Sequence, residues 1–361
     1  MNSDQNHHAP LPAAVEEITP AWLSDVLAAD VTGVTSSPVG EVAGFVGVVS
    51  RLHLEHGGGV PDTLVAKLTS PNEQARQYVS YYGLYRSEHH FYTEIAERVP
   101  VRVPRCHYAD LGDDASSVVL LLEDLTSLRL GDQVAGGSPA DAERLVRAAA
   151  RLHASWWNAP ELDGLDWLPR ADADLNRARQ DHAAANWEVF VDRYGDVLTP
   201  SARAAGELAK TKLADLLDSW WQRGPRTYVH FDVRLDNVFF DDAVATGGDG
   251  VALIDWQMSI RGLGASDLAW FSWSLTPEVR RALWDTLLDA YLHELTAHGV
   301  TGYTRGDLDR DVRECLVLTM AMTVLGGATA PTPDARSKAV IDTLVERVSL
   351  AVTDLDVASA V

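Results

Sequence analysis

The sequence predicts an α+β protein in two parts, a small strand-rich N-terminal part followed by a large, mainly helical C-terminal part. Residues 39–68 hold two apolar runs on either side of three consecutive glycines, which is the pattern of a β-hairpin with a glycine-rich tip. Residues 118–125 (VVLLLEDL) form an apolar run that ends at acidic residues, as a buried strand does at a polar turn. Beyond Leu125 helix-start signals recur, so we expect residues 14–125 in one domain and 126–361 in the other.

The other elements are predicted in chain order. Residues 1–13 are expected to be disordered. Thr19 before Pro20 predicts a short helix over AWLSDVLAA, with threonine as the N-cap and proline at the first helical position. Residues 71–99 are predicted to be helical, and residues 100–125 to hold two more strands around 110–114. Helices of the C-terminal part are predicted to start where serine or threonine precedes proline, at Ser138, Thr199, Thr276 and Thr332.

Length and composition are typical of a folded enzyme. The 361 residues are 46% apolar and 23% charged, and a chain of this length suits two domains. No apolar run approaches the roughly 20 residues that span a bilayer, and the first residues lack the basic flank and apolar segment of a secretory signal. The two cysteines, Cys106 and Cys315, are too few for a disulfide framework. We therefore expect a cytoplasmic protein with both thiols buried.

The net charge of −22 bears on possible partners. Nucleic-acid binding depends largely on neutralising phosphates with a basic face, so an acidic surface argues against DNA and RNA. The same charge argues against anionic membranes. It could attract a cationic substrate, although solubility is the simpler explanation. The oligomeric state stays open.

Two segments carry the pattern of a catalytic centre, residues 228–242 (YVHFDVRLDNVFFDD) and 251–257 (VALIDWQ). The first contains His230, Asp232 and Asn237, and the second places Asp255 after an aliphatic run. In phosphoryl-transfer enzymes the aspartate of such a loop takes the acceptor proton and the asparagine holds magnesium, while a later aspartate supplies a second metal ligand. The ordered set predicts a kinase.

The N-terminal strands contain residues that suit a nucleotide site. Gly44 and Gly47 in AGFVGVVSR would let the backbone approach phosphate closely, although glycines in a hairpin often serve only the turn. Lys67 lies among aliphatic residues in LVAKL, where a buried ammonium needs a partner. Glu88 could supply the carboxylate and orient Lys67 towards the α- and β-phosphates. The alternative is an edge-strand lysine that reaches solvent.

Residues 118–125 have a second interpretation besides that of a buried strand. In a two-lobed kinase this crossover offers backbone groups to the edge of adenine. Glu123 and Leu125 are the predicted positions, through their main chains rather than their side chains.

Other motifs exclude alternatives. Residues 56–59 (HGGG) resemble a lipase oxyanion-hole motif, but the chain contains no G-x-S-x-G nucleophile elbow. It also lacks a G-x-x-x-x-G-K-[ST] loop, which argues against a P-loop nucleotide site. His153 shares a helix face with Leu145 and Leu152 and is predicted to be a packing residue.

The ordered motifs resemble those of the aminoglycoside-phosphotransferase-like and choline-kinase-like small-molecule kinases, most of all the ecdysteroid-kinase-like branch. The matching text is GFVG, VAKL, SEHHFY, LLLEDL, RLHASWW, VHFDVRLDNVFF, LIDWQ and DLAWF, within about residues 45–271. The resemblance implies a bilobal protein-kinase-like fold, with a nucleotide-binding N-lobe and a catalytic, acceptor-binding C-lobe. It also implies transfer of the γ-phosphate of ATP, with Mg²⁺, to a hydroxyl group of a small molecule.

The resemblance implies a role for each residue of this chain that matches a functional position of the family. Asp232 is similar to the catalytic aspartate of the family, Asn237 and Asp255 to its metal ligands, and His230 to the residue that braces the catalytic loop. Asp267 resembles an acid that braces the C-lobe helices.

Two residues depart from the family pattern. Phe231 stands where the family commonly has glycine, and it could narrow the loop or contribute to an acceptor pocket. Trp256 replaces a common phenylalanine, which is a conservative aromatic exchange. Neither change removes a catalytic group.

The acceptor is not specified by the motifs. Trp187, Trp270 and Trp273 could stack on an apolar or ring-shaped substrate. An antibiotic, an aminoalcohol, a nucleoside and a sterol- or polyketide-like alcohol all remain compatible, as do ATP and GTP. A nucleotide-binding pseudokinase with a regulatory role is the alternative function. A protein kinase is disfavoured, because the short interval between Asp255 and Asp267 leaves no room for a long activation loop.

Overall fold

The structure is a computed structural model that describes residues 11–39, 47–170, 173–244 and 250–357. The chain divides into two compact units. The first comprises Met1–Glu97 with Pro104–Ser127, and the second comprises Arg98–Val103 with Leu128–Val361.

The first unit is built on a five-stranded sheet in the order β1-β2-β3-β5-β4, with every neighbouring pair antiparallel. Its strands are β1 (Val31–Pro38), β2 (Gly47–His56), β3 (Thr63–Thr69), β4 (Cys106–Leu111) and β5 (Val118–Glu123). The predicted hairpin is confirmed as β2 and β3, and the predicted strand pair after residue 100 as β4 and β5. Strand β1 was not predicted, because its sequence (VTGVTSSP) is small and polar rather than alternating.

Helices border this sheet. They are α1 (Pro20–Leu27), α2 (Glu73–Tyr82) and α3 (Leu84–His90), and α3 continues into a π-helical turn, Phe91–Ile95. The predicted cap of α1 is confirmed, since the hydroxyl of Thr19 accepts a hydrogen bond from the Trp22 amide at 3.2 Å. Trp22 and Leu23 pack with the apolar side chains of β2 and β3 in one core. Leu11 packs against that core too, so the expected disorder of residues 1–13 does not hold for residues 11–13.

The second unit is mainly helical. Its helices are α4 (Pro139–Ser155), α5 (Ala173–Tyr194), α6 (Pro200–Thr211), α7 (Leu213–Arg223), α8 (Ala265–Phe271), α9 (Pro277–Ala297), α10 (Arg305–Thr329) and α11 (Ala335–Asp354). Two small sheets lie among them, with the strand orders β10-β7 and β6-β8-β9. Their strands are β6 (Arg129–Leu130), β7 (Thr227–Val229), β8 (Val238–Phe240), β9 (Val251–Leu253) and β10 (Ile260–Gly262). The α+β fold, strand-rich and then mainly helical, is confirmed.

Side-chain caps fix most helix starts as predicted. Ser138, Thr199 and Thr276 each accept a backbone hydrogen bond at the start of α4, α6 and α9. The fourth predicted start, at Thr332, is wrong. Helix α11 begins at Ala335 and is capped by Asp334, whose carboxylate accepts from the Ser337 amide at 2.8 Å. An aspartate caps a helix as well as a threonine does, and here it lies nearer to the first helical turn.

Helix α10 is, among the described residues, the one helix long and apolar enough to cross a membrane. However, 72% of its most apolar window is buried inside the fold. It packs against α5, α6, α8 and α11. Burial against neighbouring helices accounts for its apolar composition, as in the core helix of a globular domain.

Candidate active site

The loop between β7 and β8 is organised around His230, which is buried. Its Nδ1 accepts a hydrogen bond from the Asp232 amide at 3.2 Å. Because Nδ1 accepts, the ring hydrogen lies on Nε2, which donates to the Ile254 carbonyl at 2.9 Å. His230 therefore joins the start of this loop to the chain that follows β9, in line with its expected bracing role.

The Asp232 carboxylate is held through both oxygens, and its side chain is 16% exposed. Oδ1 accepts a hydrogen bond from the Trp270 indole N–H at 2.9 Å. Oδ2 accepts from the Asn237 amide group at 2.8 Å and lies 3.4 Å from the Arg234 Nε. Donors on two sides fix the plane of the carboxylate as well as its position.

Acidic side chains outnumber the one arginine next to Asp232. Burial raises the pKa of Asp232, the Arg234 guanidinium lowers it, and the nearby Asp255 carboxylate raises it. Arg234 also pairs with Asp236 at 3.0 Å. Three carboxylates, those of Asp232, Asp236 and Asp255, thus lie near the one Arg234 guanidinium, and such a group favours a further cation.

Asn237 and Asp255 are brought together by the short sheet of β8 and β9. Val238 pairs with Leu253 across these strands, and the Ile254 amide donates to the Asn237 carbonyl at 3.1 Å. Asn237 thus precedes β8 at the end where Asp255 follows β9. Asp255 has a left-handed backbone with φ of 64°. The structure therefore places Asp232, Asn237 and Asp255, all predicted from sequence, in one region.

Asp267, in α8, holds the backbone of the catalytic loop. Its Oδ1 accepts from the Phe231 amide at 2.7 Å, and its Oδ2 from the His230 amide at 3.1 Å. His153 Nε2 donates to the same Oδ2 at 3.0 Å, and its Nδ1 lies 2.8 Å from the Tyr291 hydroxyl. The pair of His153 and Asp267 ties α4 to α8, as the expected brace would. The two bonds to the loop backbone were not predicted.

Phe231, which departs from the family pattern, has a backbone conformation that favours glycine. Its φ is 65°, in the left-handed region where glycine carries no steric cost and another residue costs about 1–2 kcal/mol. The ring is buried, and the Arg179 guanidinium lies 5.8 Å from its centroid. The hydrogen bonds from the His230 and Phe231 amides to the Asp267 carboxylate stabilise this backbone conformation, which phenylalanine alone would disfavour.

The first unit contains the predicted lysine pair. Lys67 Nζ lies 2.6 Å from Glu88 Oε2, and the two residues are 8% and 1% exposed. Lys67 is in β3, which pairs with β2 on one side and β5 on the other. The alternative of an edge-strand lysine facing solvent is therefore excluded.

Four other residues of this unit were predicted to lie at the nucleotide site: Gly44, Gly47, Glu123 and Leu125. Gly44 lies outside the described residues. A Cβ on Gly47 would come within 2.7 Å of the Leu68 carbonyl, so close approach of β3 requires this glycine. The Glu123 amide donates a hydrogen bond to the Arg105 carbonyl, and the Arg105 amide donates one to the Glu123 carboxylate. Leu125 is buried beyond the end of β5. Whether their main chains contact adenine stays a prediction.

Two of the three tryptophans predicted to contact substrate lie in the core. Trp187 is 5% exposed and packs on Gly206 and Phe190, and Trp273 is 1% exposed. Neither has an open ring face, so the structure does not support a stacking role for them. Trp270 is half-buried, and its contact with Asp232 was not predicted.

Gln133, which is fully buried, also contacts the catalytic loop and was not predicted. Its Oε1 accepts from the Leu235 amide at 2.8 Å and the Ser274 hydroxyl at 2.9 Å, and its amide nitrogen donates to the Trp273 carbonyl at 3.2 Å. Its backbone N–H donates to the Asp236 carboxylate at 2.9 Å. No local pattern marks this residue, because all its partners lie far along the chain.

The side-chain oxygens of Asn237 and Asp255 are suitable ligands for a hard cation such as Mg²⁺. Both N–H groups of the Asn237 amide face Asp232, at 3.0 Å from its carbonyl and 2.8 Å from Oδ2, which leaves the amide oxygen as the cation-binding atom. Amide and carboxylate oxygens are the ligands that Mg²⁺ prefers. The described ranges contain no cluster of three or more His, Cys, Asp or Glu residues that could hold a metal ion by themselves. An ion here would need further ligands, such as phosphate oxygens or water.

A family model and several solved structures are similar to this chain. The sequence model of the phosphotransferase enzyme family matches residues 51–308. No curated protein matches the chain. A candidate aminoglycoside phosphotransferase from Ralstonia eutropha JMP134 has a similar structure, with 15% identity and a TM-score of 0.53 over 93% of this chain and 97% of that chain.

Two further solved structures resemble this chain with TM-scores below 0.5. A macrolide 2′-phosphotransferase from Brachybacterium faecium has 14% identity and a TM-score of 0.46, covering 86% of this chain and 97% of that chain. A Plasmodium vivax ethanolamine kinase has 11% identity and a TM-score of 0.47, covering 91% and 83%. The predicted small-molecule kinase is confirmed, while the ecdysteroid-kinase-like branch stays a prediction. The family match covers more than half of the chain, which therefore belongs to the phosphotransferase enzyme family.

Proposed function

We propose that the protein transfers the γ-phosphate of ATP, in the presence of Mg²⁺, to a hydroxyl group of a small molecule. The observation that carries this proposal is the Asp232 carboxylate, held through both oxygens beside Asn237 and near Asp255. That set would provide a proton acceptor and two metal-binding groups at one place, which is what phosphoryl transfer requires.

Asp232 would act on the acceptor. It would accept a hydrogen bond from the acceptor hydroxyl and take its proton as the oxygen bonds to phosphorus. The bond from phosphorus to the bridging oxygen breaks, and ADP leaves with that electron pair. Little other covalent chemistry is needed, so positioning and charge stabilisation account for most of the rate.

Asn237 and Asp255 would hold Mg²⁺ through their side-chain oxygens. When bound, the ion would neutralise negative charge on the phosphates. In the first unit, Lys67, fixed by Glu88, would contact the α- and β-phosphates, and Gly47 would allow the backbone near them. The main chains at Glu123 and Leu125 would contact adenine.

The acceptor is proposed only as a class. An antibiotic, an aminoalcohol, a nucleoside or a sterol- or polyketide-like alcohol would each supply a hydroxyl group. We also propose a cytoplasmic location, which agrees with Cys106 and Cys315 both being free thiols. A regulatory pseudokinase would be expected to lack one of Asp232, Asn237 and Asp255, and all three are present.

A calorimetric titration tests the metal site. Asp255→Ala should abolish the Mg²⁺-dependent tightening of ATP binding, because its carboxylate would anchor the ion that the phosphates share. Asp242→Ala is the matched control, since Asp242 lies beyond β8 and pairs with Arg129 and Arg144. The control should keep the coupling between ion and nucleotide. Unchanged coupling in Asp255→Ala would place the metal elsewhere.

A further inference from the structure

We propose that Trp270 is a positioning residue for phosphoryl transfer, and that it selects Oδ1 of Asp232 as the oxygen that meets the acceptor hydroxyl. This inference rests on the proposed function of Asp232. It goes beyond that function by assigning separate roles to the two carboxylate oxygens and by naming the side chain that separates them.

The assignment follows from the hydrogen bonds to each oxygen. A carboxylate oxygen accepts about two hydrogen bonds. Oδ2 has two donors, the Asn237 amide at 2.8 Å and the Arg234 Nε at 3.4 Å. Oδ1 has one donor among the described residues, the Trp270 indole N–H at 2.9 Å. The remaining acceptor position therefore lies on Oδ1, beside the indole ring.

The indole is held firmly enough for this role. Trp270 lies in α8, three residues after Asp267, so both side chains leave the same face of one helix. Asp267 holds the loop backbone at Phe231 and His230, while Trp270 holds the side chain of Asp232. The Trp270 ring also meets Trp273 edge to face, with centroids 5.8 Å apart. One short helix thus fixes both the backbone and the carboxylate of the catalytic loop.

The position of the indole also affects the acceptor. A hydroxyl bound to the remaining position of Oδ1 would bring its carbon atom close to the half-buried ring of Trp270. An apolar group next to the reacting hydroxyl would then contact the ring, whereas a charged group there would lose hydration. The effect on turnover should nevertheless come mainly from the N–H, because it fixes the direction of Oδ1.

Two replacements separate the N–H from the bulk of the ring. Trp270→Phe keeps an aromatic ring but removes the donor. Incorporation of benzothienylalanine at position 270 puts sulfur in place of the N–H and keeps the shape of the ring. It therefore tests the role of the N–H even if the phenylalanine variant folds poorly. Trp187→Phe is the control, since Trp187 packs on Gly206 in the core and makes no hydrogen bond to the catalytic loop in the described structure.

The first readout is the ¹H–¹⁵N signal of the Trp270 indole, assigned by its loss in Trp270→Phe. A hydrogen bond to a carboxylate moves such a proton downfield, so Asp232→Asn should shift it upfield and Asp242→Asn should leave it in place. The second readout is phosphate release from Mg-ATP with water as acceptor. Both replacements at 270 should slow it roughly 10–100-fold, with ATP affinity within twofold of the wild type.

The outcomes separate this inference from the proposed function. If Asp232→Asn leaves phosphate release unchanged, the proposed role of Asp232 fails and this inference fails with it. If Asp232→Asn is inactive but benzothienylalanine at 270 keeps full activity, only the role of Trp270 is overturned. An indole signal that does not respond to Asp232→Asn overturns it as well. Loss of thermal stability and ATP binding in proportion to activity would show a structural role instead.

Discussion

Replacing Asp267 by asparagine should disturb the catalytic loop more than any exposed carboxylate change. The carboxylate accepts three hydrogen bonds, from the amides of His230 and Phe231 and from the His153 ring, and Asp267 is 1% exposed. Asparagine keeps one oxygen in place of two. One of the loop amides would therefore face an NH₂ group and lose its acceptor.

The expected cost follows from the bonds involved. A hydrogen bond to a charged group contributes about 1.5–3 kcal/mol and a neutral one about 0.5–1.5, so two weakened bonds lose about 2 kcal/mol together. A buried amide without an acceptor costs a further 1–3 kcal/mol or so. Asp267→Asn should therefore lower the free energy of unfolding by about 3–5 kcal/mol. Turnover should fall roughly 100-fold, because the loop that carries Asp232 is displaced.

Urea unfolding followed by tryptophan fluorescence measures the first effect, and phosphate release from Mg-ATP the second. Asp242→Asn is the control, because its carboxylate is 53% exposed and its ion pairs with Arg129 and Arg144 are at the surface. Its effect on the free energy of unfolding should be small, as for surface ion pairs in general. If Asp267→Asn lowers the free energy of unfolding no more than this control does, and releases phosphate at the normal rate, Asp267 does not hold the loop.

Two further predictions concern Lys67 and Phe231. Lys67→Met should weaken ATP binding roughly 10–100-fold but leave adenosine binding nearly unchanged, since adenosine has no phosphate for the ammonium to contact. Glu88→Gln should reproduce part of that loss, and the double variant should be less than additive by calorimetry; equal losses for ATP and adenosine would count against the pair. Phe231→Gly should be more stable in urea than Phe231→Ala by up to about 1 kcal/mol, because alanine keeps the left-handed strain that glycine lacks. A more stable alanine variant would show that this strain is not significant.

Features that depend on neighbouring residues could be predicted from the sequence. The glycine-rich hairpin, the caps at Ser138, Thr199 and Thr276, and the order of the catalytic motif all lie within short segments. Local chemistry decides such features, because a cap or a turn needs only the residues beside it. The wrong start at Thr332 arose where two capping residues lie close together, and local pattern does not rank Thr332 against Asp334.

Features that depend on distant contacts could not be predicted. Gln133 holds the catalytic loop through Leu235, and Trp270 binds Asp232 across 38 residues of chain. Trp187 and Trp273 look like binding residues by composition, yet packing buries both. Lys67 is the intermediate case. Its apolar neighbours predicted a buried partner and the sequence offered Glu88, but only the fold excludes a solvent-facing lysine by placing the two charges 2.6 Å apart.

The central claim is that Asp232 promotes transfer of the γ-phosphate to a small-molecule hydroxyl. The most direct measurement incubates the wild type and Asp232→Asn with Mg²⁺, γ-¹⁸O-labelled ATP and a metabolite extract, followed by mass spectrometry. We expect the wild type to yield a metabolite that has gained one labelled phosphoryl group, and the variant to yield it roughly 10²–10⁴-fold more slowly with ATP binding retained. A labelled product formed at equal rates by both proteins, or formed by neither, would contradict the account.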